Sequence, residues 1–453
     1  MQCPRCNYSL DDDTVFCGNC GAQVAPLKSP GATVAASLED EETIQTRSNA
    51  EGNRQAAPPP VMQRFSPPAA PYAPAPGTPA QKDTPPVSRR AGSPLASARV
   101  RVIIALALIV LVGGSLGLFA VLKNGGSGPN TTLGTLATGQ IAFIDTPNGV
   151  PGHTDALTMS IQNLESPPSG FQYDAWLVND ATEQNIALGT LTASGQTFTL
   201  NYSGDGKNGQ AGTNLIGAGD KVIITLEQGS VSAPTGKVIL SATFPPKAFI
   251  HIRHLLFSFP ITPGKIGLLV GLLGQAQLLS AQSLALQSAS ANHNTAAIQC
   301  DAQSIIDIIE GSQGSAYQPL SASCLSLGIS MAGDGFGILG NSGYDVLASQ
   351  HASLAATQSD STALIRLHAG HVEIAMVNIK GWATQVQQDA LTLRASPNNT
   401  AQIQEIVTLS DHIFHGVDIN GDERVDPVPG EAGAITGYNH GQLMATLQFV
   451  PGA

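Results

Sequence analysis

Charge is scarce in this chain. Asp, Glu, Lys and Arg make up 12% of its 453 residues, and the basic ones are nowhere gathered into a stripe. Residues 123–453 hold 11 basic against 24 acidic side chains. That balance excludes nucleic acid as the partner of this part, because neutralising phosphates needs clustered Lys and Arg. Aromatic residues are few, so each one on a periodic apolar face is read first as a core anchor. No nucleophile–base pair or paired-carboxylate constellation stands out, and the chain reads as non-enzymatic. Long apolar runs are also missing, with one exception.

The exception is "VIIALALIVLVGGSLGLFAVL", residues 102–122, which carries no charge. At 1.5 Å rise per residue it spans roughly 30 Å, the hydrocarbon thickness of a bilayer. It predicts a transmembrane helix within residues 99–123. Arg89, Arg90, Arg99 and Arg101 precede it and only Lys123 follows closely, so residues 1–100 are expected in the cytoplasm and 124–453 outside. Gly113 and Gly117 form a GxxxG pair, through which a homodimer is an expectation.

Four of the six cysteines fall in the first twenty residues as Cys3/Cys6 and Cys17/Cys20. Two Cys-x-x-Cys knuckles each offer two thiolates to one tetrahedral Zn²⁺, and four thiolates leave no open position, so the metal is expected to be structural. The stretch "CPRCN…FCGNCG" resembles the zinc-ribbon family at the N-terminus of many bacterial membrane proteins. A ribbon over residues 1–23 with acidic Asp11, Asp12 and Asp13 suits a cytoplasmic protein partner better than a nucleic acid. Residues 24–98 read as a disordered linker, since 11 of the 31 residues from Ala56 to Pro86 are proline.

Beyond a short linker (residues 124–138), alternation takes over. "ALTMSIQNL", "FQYDAWLVND", "QTFTLNYS", "KVIITLEQ" and "KVILSATF" place apolar residues at every second position, which predicts an antiparallel β-sandwich or small barrel over 139–260. Tyr173, Trp176 and Val178 are its expected core anchors. The run "YDAWLVND", with "ALGTL", "FTLNY" and "DKVIITLEQGSVSAPTGKVIL", resembles the extracytoplasmic C-terminal domain of anti-sigma-K-type factors. The matching positions are Trp176–Val178, Gly189–Leu191, Glu227 and Pro234–Gly236. The resemblance implies a regulatory, anti-sigma-like protein, although residues 21–98 lack the helical periodicity of a sigma-binding domain.

From residue 261 the period shifts towards 3.6, and a bundle of five or six helices is expected over 261–453. Its first helix is read as a core helix because Gln275 and Gln277 interrupt the apolar run. Three features carry chemistry. His251/His254, His368/His371 and His412/His415 are i, i+3 pairs, which share a helix face and can chelate a metal. The first pair falls at an expected strand end, and the second has only Glu373 nearby. "DINGDERVDPVPGE", in the acidic loop 418–431, opens like a Ca²⁺ loop. Asp418, Asn420 and Asp422 stand at positions 1, 3 and 5, with Asp426 or Glu431 to complete the shell. Cys300 and Cys324 are a disulfide candidate, free buried thiols being the alternative.

The whole reads as multidomain α+β: zinc ribbon, disordered linker, one transmembrane helix, external antiparallel β-sandwich and external helical bundle. Two functions stay open. One is a membrane-anchored regulatory, signalling or binding protein with external sensing domains. The other is a cell-surface bundle protein that binds metal or haem through its histidine pairs.

Overall fold

The computed structural model describes residues 137–147, 149–204, 212–330, 332–340 and 342–451. The ribbon cysteines, the proline-rich linker, the apolar segment 102–122 with its glycine pair, and most of the 124–138 linker lie outside these residues.

Two antiparallel sheets come first. Strands β1 (Thr138–Ile144), β2 (Ala156–Gln162), β5 (Thr192–Ser194) and β6 (Thr197–Tyr202) form one, in the order β5-β6-β2-β1. Strands β3 (Phe171–Asn179), β4 (Gln184–Thr190), β7 (Lys221–Gln228) and β8 (Lys237–Thr243) form the other, in the order β8-β7-β3-β4. A four-residue helix, α1 (Leu215–Ala218), leads into β7.

Period-two alternation explains which side chains turn inward. Ile141, Phe143, Met159, Ile161, Phe198 and Leu200 enter the main core from the first sheet; Tyr173, Ala175 and Leu177 enter it from β3. The alternate positions of β3 point the other way, so Trp176 and Val178 are buried with Ile223 in a separate cluster. There the Trp176 indole donates to Thr225 Oγ1 at 2.9 Å. Glu227 accepts from the backbone N–H groups of Thr235 (3.0 Å) and Gly236 (2.9 Å) and so fixes the β7–β8 turn.

Helices follow: α2 (Pro246–Leu256), α3 (Leu268–Ala291), α4 (Thr295–Glu310), α5 (Ala322–Ser326), α6 (Tyr344–Thr357), α7 (Ala363–Ala395), α8 (Thr400–His415) and α9 (Ala434–Met444). At 33 residues α7 is about 50 Å long, and it packs against α4, α6, α8 and α9. By length and composition α3 is apolar enough to cross a membrane. Here it lies against α4, α8 and α9, and two of its glutamines, Gln275 and Gln282, are used inside the fold while Gln277 is exposed. Gln275 Oε1 accepts from the Asp334 N–H at 3.2 Å, and Gln282 Nε2 donates to Asp301 at 2.7 Å. Cys300 and Cys324 are bonded, S–S 2.02 Å, and tie α4 to α5.

The expected separation of sheets (139–260) from helices (261–453) does not describe this arrangement. After α9 the chain returns to the sheets: β9 (Leu447–Gln448) pairs with β1, and β10 (Val450–Pro451) pairs with β8. Each sheet thereby gains a fifth strand. One apolar core runs through both parts. Asp145, at the end of β1, accepts from the Tyr438 hydroxyl (2.6 Å) and Gln442 Nε2 (2.9 Å) of α9. It also accepts from the backbone N–H groups of Gly152 and Thr154, both at 2.7 Å.

Candidate metal centres

The 139–260 region was expected to stay extended to its end, with His251 and His254 closing a strand. Instead Pro245 and Pro246 end the strand pattern after β8, and Pro246 opens helix α2 at a position where a missing N–H costs nothing. Asp360, from the turn between α6 and α7, accepts from the first-turn backbone N–H groups of Lys247 (2.7 Å) and Ala248 (3.1 Å). The negative carboxylate thus caps the positive end of α2 and fixes its rotation.

That rotation turns both histidines inward onto α6. His251 Nδ1 lies 3.1 Å, and His254 Nδ1 3.3 Å, from Nδ1 of His351. The three are 4%, 8% and 0% exposed. Phe259 stands edge-on to His254 and His351, with ring centroids 5.3 and 5.0 Å away. Gln358, just past the end of α6, sets its side-chain amide 3.3 Å from His251 Nε2.

A second triad repeats the plan. His368 and His371, one turn apart on α7, face His440 of α9; their Nδ1 atoms lie 2.9 and 3.3 Å from its Nδ1. These three rings are half-buried. In each triad one ligand atom per residue falls within 4.8 Å of the other two.

Hydrogen bonding accounts poorly for this geometry. A neutral imidazole nitrogen is either a donor or an acceptor, so three converging Nδ1 atoms do not satisfy one another as a set. His351 Nε2 is also buried without a partner, a deficit of about 1–3 kcal/mol that ligation through Nδ1 leaves in place. Metal ligation accounts for it well. A tetrahedral ion with 2.0–2.1 Å bonds to nitrogen holds two ligand atoms roughly 3.3 Å apart. Haem fits neither triad, because its two axial nitrogens sit on opposite faces of a porphyrin, and nitrogens this close leave no plane between them.

Electrostatics keep the rings ready for a metal. Burial lowers His251 and His254 to about 4, with the His251 ring adding to the shift of His254; His351 is pushed well below the ordinary imidazole value by burial and by both of these rings. In the second triad burial brings His368 to about 4 and His440 to about 3, and also lowers His371. All six are therefore neutral at pH 7, the form that binds metal.

The other expected sites end differently. His412 and His415 stay apart from any third ligand: His412 packs on Trp382, and His415 pairs with Asp411 at 2.7 Å. In the acidic loop the carboxylates are occupied by the turn itself. Asp418 accepts from the N–H groups of Gly421 (2.6 Å), Asp422 (3.3 Å) and Glu423 (2.8 Å). Asn420 Oδ1 accepts from the Asp422 N–H, and Glu431 from the Asp426 N–H. The Ca²⁺ reading of Asp418, Asn420, Asp422, Asp426 and Glu431 finds no support, because the groups of three His, Cys, Asp or Glu ligand atoms within 4.8 Å among the described residues are the two histidine triads. His351 and His440 escaped the sequence reading, being 97 and 69 residues from their nearest partners. The available signal was that His351 falls on the apolar stripe of α6, with Leu347, Ala348, Ala352 and Ala355.

Comparison with known proteins bears on the N-terminus alone. Residues 2–24 match the zinc-ribbon domain family. That match fits structural zinc at Cys3, Cys6, Cys17 and Cys20, which lie outside the described residues. No curated protein and no solved structure matches the chain. Kinship of the sheets with anti-sigma-K-type factors therefore finds no support.

Proposed function

We propose that this is a single-pass membrane protein whose external part binds transition-metal ions at two three-histidine centres, with the zinc ribbon as a protein-contact module on the cytoplasmic side. The observation that carries the reading is the repeated construction. Twice, an i, i+3 pair on one helix meets a third histidine from another helix, with all three Nδ1 atoms facing inward. Packing alone gives no reason to do this twice. The disulfide between Cys300 and Cys324 suits an oxidising, external compartment, and the arginines before residue 102 suit the orientation.

The regulatory reading of the sequence joins this one: an external metal site and an internal ribbon on one anchored chain make a metal-responsive receptor. Three ligands per centre leave one coordination position for a water or an exogenous ligand. Binding is tested by thermal melting of the full chain in detergent with chelator and with added Zn²⁺. Filling a site at a hundredfold excess over its dissociation constant stabilises the fold by about 2.7 kcal/mol. A melting temperature that rises with Zn²⁺ in the wild type but not in a His254→Ala/His371→Ala variant is the expected result. A wild-type melt indifferent to metal rejects the reading.

A further inference from the structure

The two triads have the same ligands and nearly the same spacings, yet their surroundings differ. We infer that they take different ions: the buried triad of His251, His254 and His351 holds Cu(I) with three nitrogen ligands, and the half-buried triad of His368, His371 and His440 holds a divalent ion such as Zn²⁺ with a water in the fourth position. The inference rests on the reading of both triads as metal sites.

Charge is the first argument. Among the described residues, the hydrogen-bond partners of the buried triad are the three rings themselves and Gln358, with no carboxylate. Asp360, in the turn that carries Gln358, has both oxygens occupied by the N–H groups of Lys247 and Ala248. An ion at the triad brings its whole charge into an apolar interior. Because solvation energy grows with the square of charge, a divalent ion loses about four times what a monovalent one loses. The second triad reaches solvent, which screens a divalent ion and supplies hydroxide or water.

Coordination number is the second argument. Zn²⁺ fills four positions, and its fourth ligand at a three-histidine site is water. Around the first triad that position faces a sealed interior, with Phe259 fully buried and edge-on to two of the rings. Cu(I), a closed-shell ion of low charge, is satisfied by three imidazoles, which are good copper ligands. The structure sets Gln358 Nε2 3.3 Å from His251 Nε2; with that amide flipped, its oxygen accepts from the Nε2–H of a metal-bound His251. Such an outer contact holds a ligand ring in place.

The test uses the full chain in detergent with Cys3, Cys6, Cys17 and Cys20 replaced by Ser, so that the ribbon takes no thiophilic ion. Zn²⁺ and Cu(I) are offered together without oxygen, in the presence of ascorbate, and unbound metal is removed. The expected product holds one copper and one zinc per chain, with three nitrogens and no fourth ligand in the copper X-ray absorption spectrum. His351→Ala loses the copper alone and His440→Ala the zinc alone. Should His351→Ala fail to fold, the absorption spectrum of the histidine-intact chain still decides. Two zinc ions and no copper, two copper ions and no zinc, or four-coordinate copper overturns the assignment while leaving both triads as metal sites. A chain that retains neither metal overturns the metal reading itself.

Discussion

Three buried Nδ1 atoms that converge without a complete set of donors and acceptors are a defect unless something binds there, and His351 stands between the other two at 0% exposure. Gln358 is the residue that orients its neighbour His251. Gln358→Ala is expected to weaken metal at the first triad by 10–100-fold and leave the second unchanged, read by competition against a chelator of known affinity. Two aspartates show the opposite titration from the histidines. Burial raises Asp301 and Asp345 to about 6, and Asp345 Oδ1 is left without a partner. A carboxyl whose pKa is higher folded than unfolded favours folding when protonated. Its contribution is thus largest at or below about pH 3.8, declines as pH rises to about 6, and stays lost above that. Asp345→Asn keeps the neutral form at every pH. It should raise stability at pH 8 by about 2–3 kcal/mol, at roughly 1.4 kcal/mol per unit, and do little near pH 4. Urea titrations at both values check this; an equal gain at the two would refute the titration argument. The six histidines lose protons on folding and act in the reverse sense below about pH 6.5, but wild type and variant share that effect.

Among the elements, the histidine pairs were legible because an i, i+3 spacing shows within one helix. The third ligand was not, since contact between α2 and α6, or α7 and α9, is a tertiary fact that no local pattern encodes. The strands were legible from alternation. The faces of β3 were harder: Tyr173 and Trp176 read alike as anchors, but an odd spacing of three puts them on opposite sides of the sheet. The start of α2 was harder to read because the apolar residues of "KAFIHI" continue directly from the strand before them, whereas Pro245–Pro246 decides for a helix start. Close packing of α3 on α6 depends on a missing side chain. A Cβ at Gly271 would sit 2.2 Å from the Tyr344 ring, which is itself fully buried. Gly271→Ala should therefore cost about 1–3 kcal/mol despite the better helix propensity of alanine, measured by chemical denaturation. A stabilised variant would mean that α3 and α6 pack less closely than described.

At the scale of the molecule, the sequence suggested sheets followed by helices, and the strands after α9 changed that picture. Two-residue strands are too short to carry a periodic signal, yet β9 and β10 return the chain end to both sheets. Helix α9 carries Tyr438 and Gln442 towards the sheet side and His440 towards α7. The second metal centre and the junction of the two parts therefore share one helix of eleven residues. The central claim, that six of the ten histidines form two metal centres, is tested most directly by the ¹⁵N resonances of the histidine rings during a Zn²⁺ titration under oxidising conditions. The full chain with its four ribbon cysteines replaced by Ser is the sample. The account predicts that metal shifts Nδ1 of the second triad, His368, His371 and His440, while Nε2 stays protonated. Cu(I) added without oxygen does the same for His251, His254 and His351, and His153, His293, His412 and His415 keep their positions with both ions. Unchanged triad resonances at saturating metal, or ligation through the four remaining histidines, would contradict it.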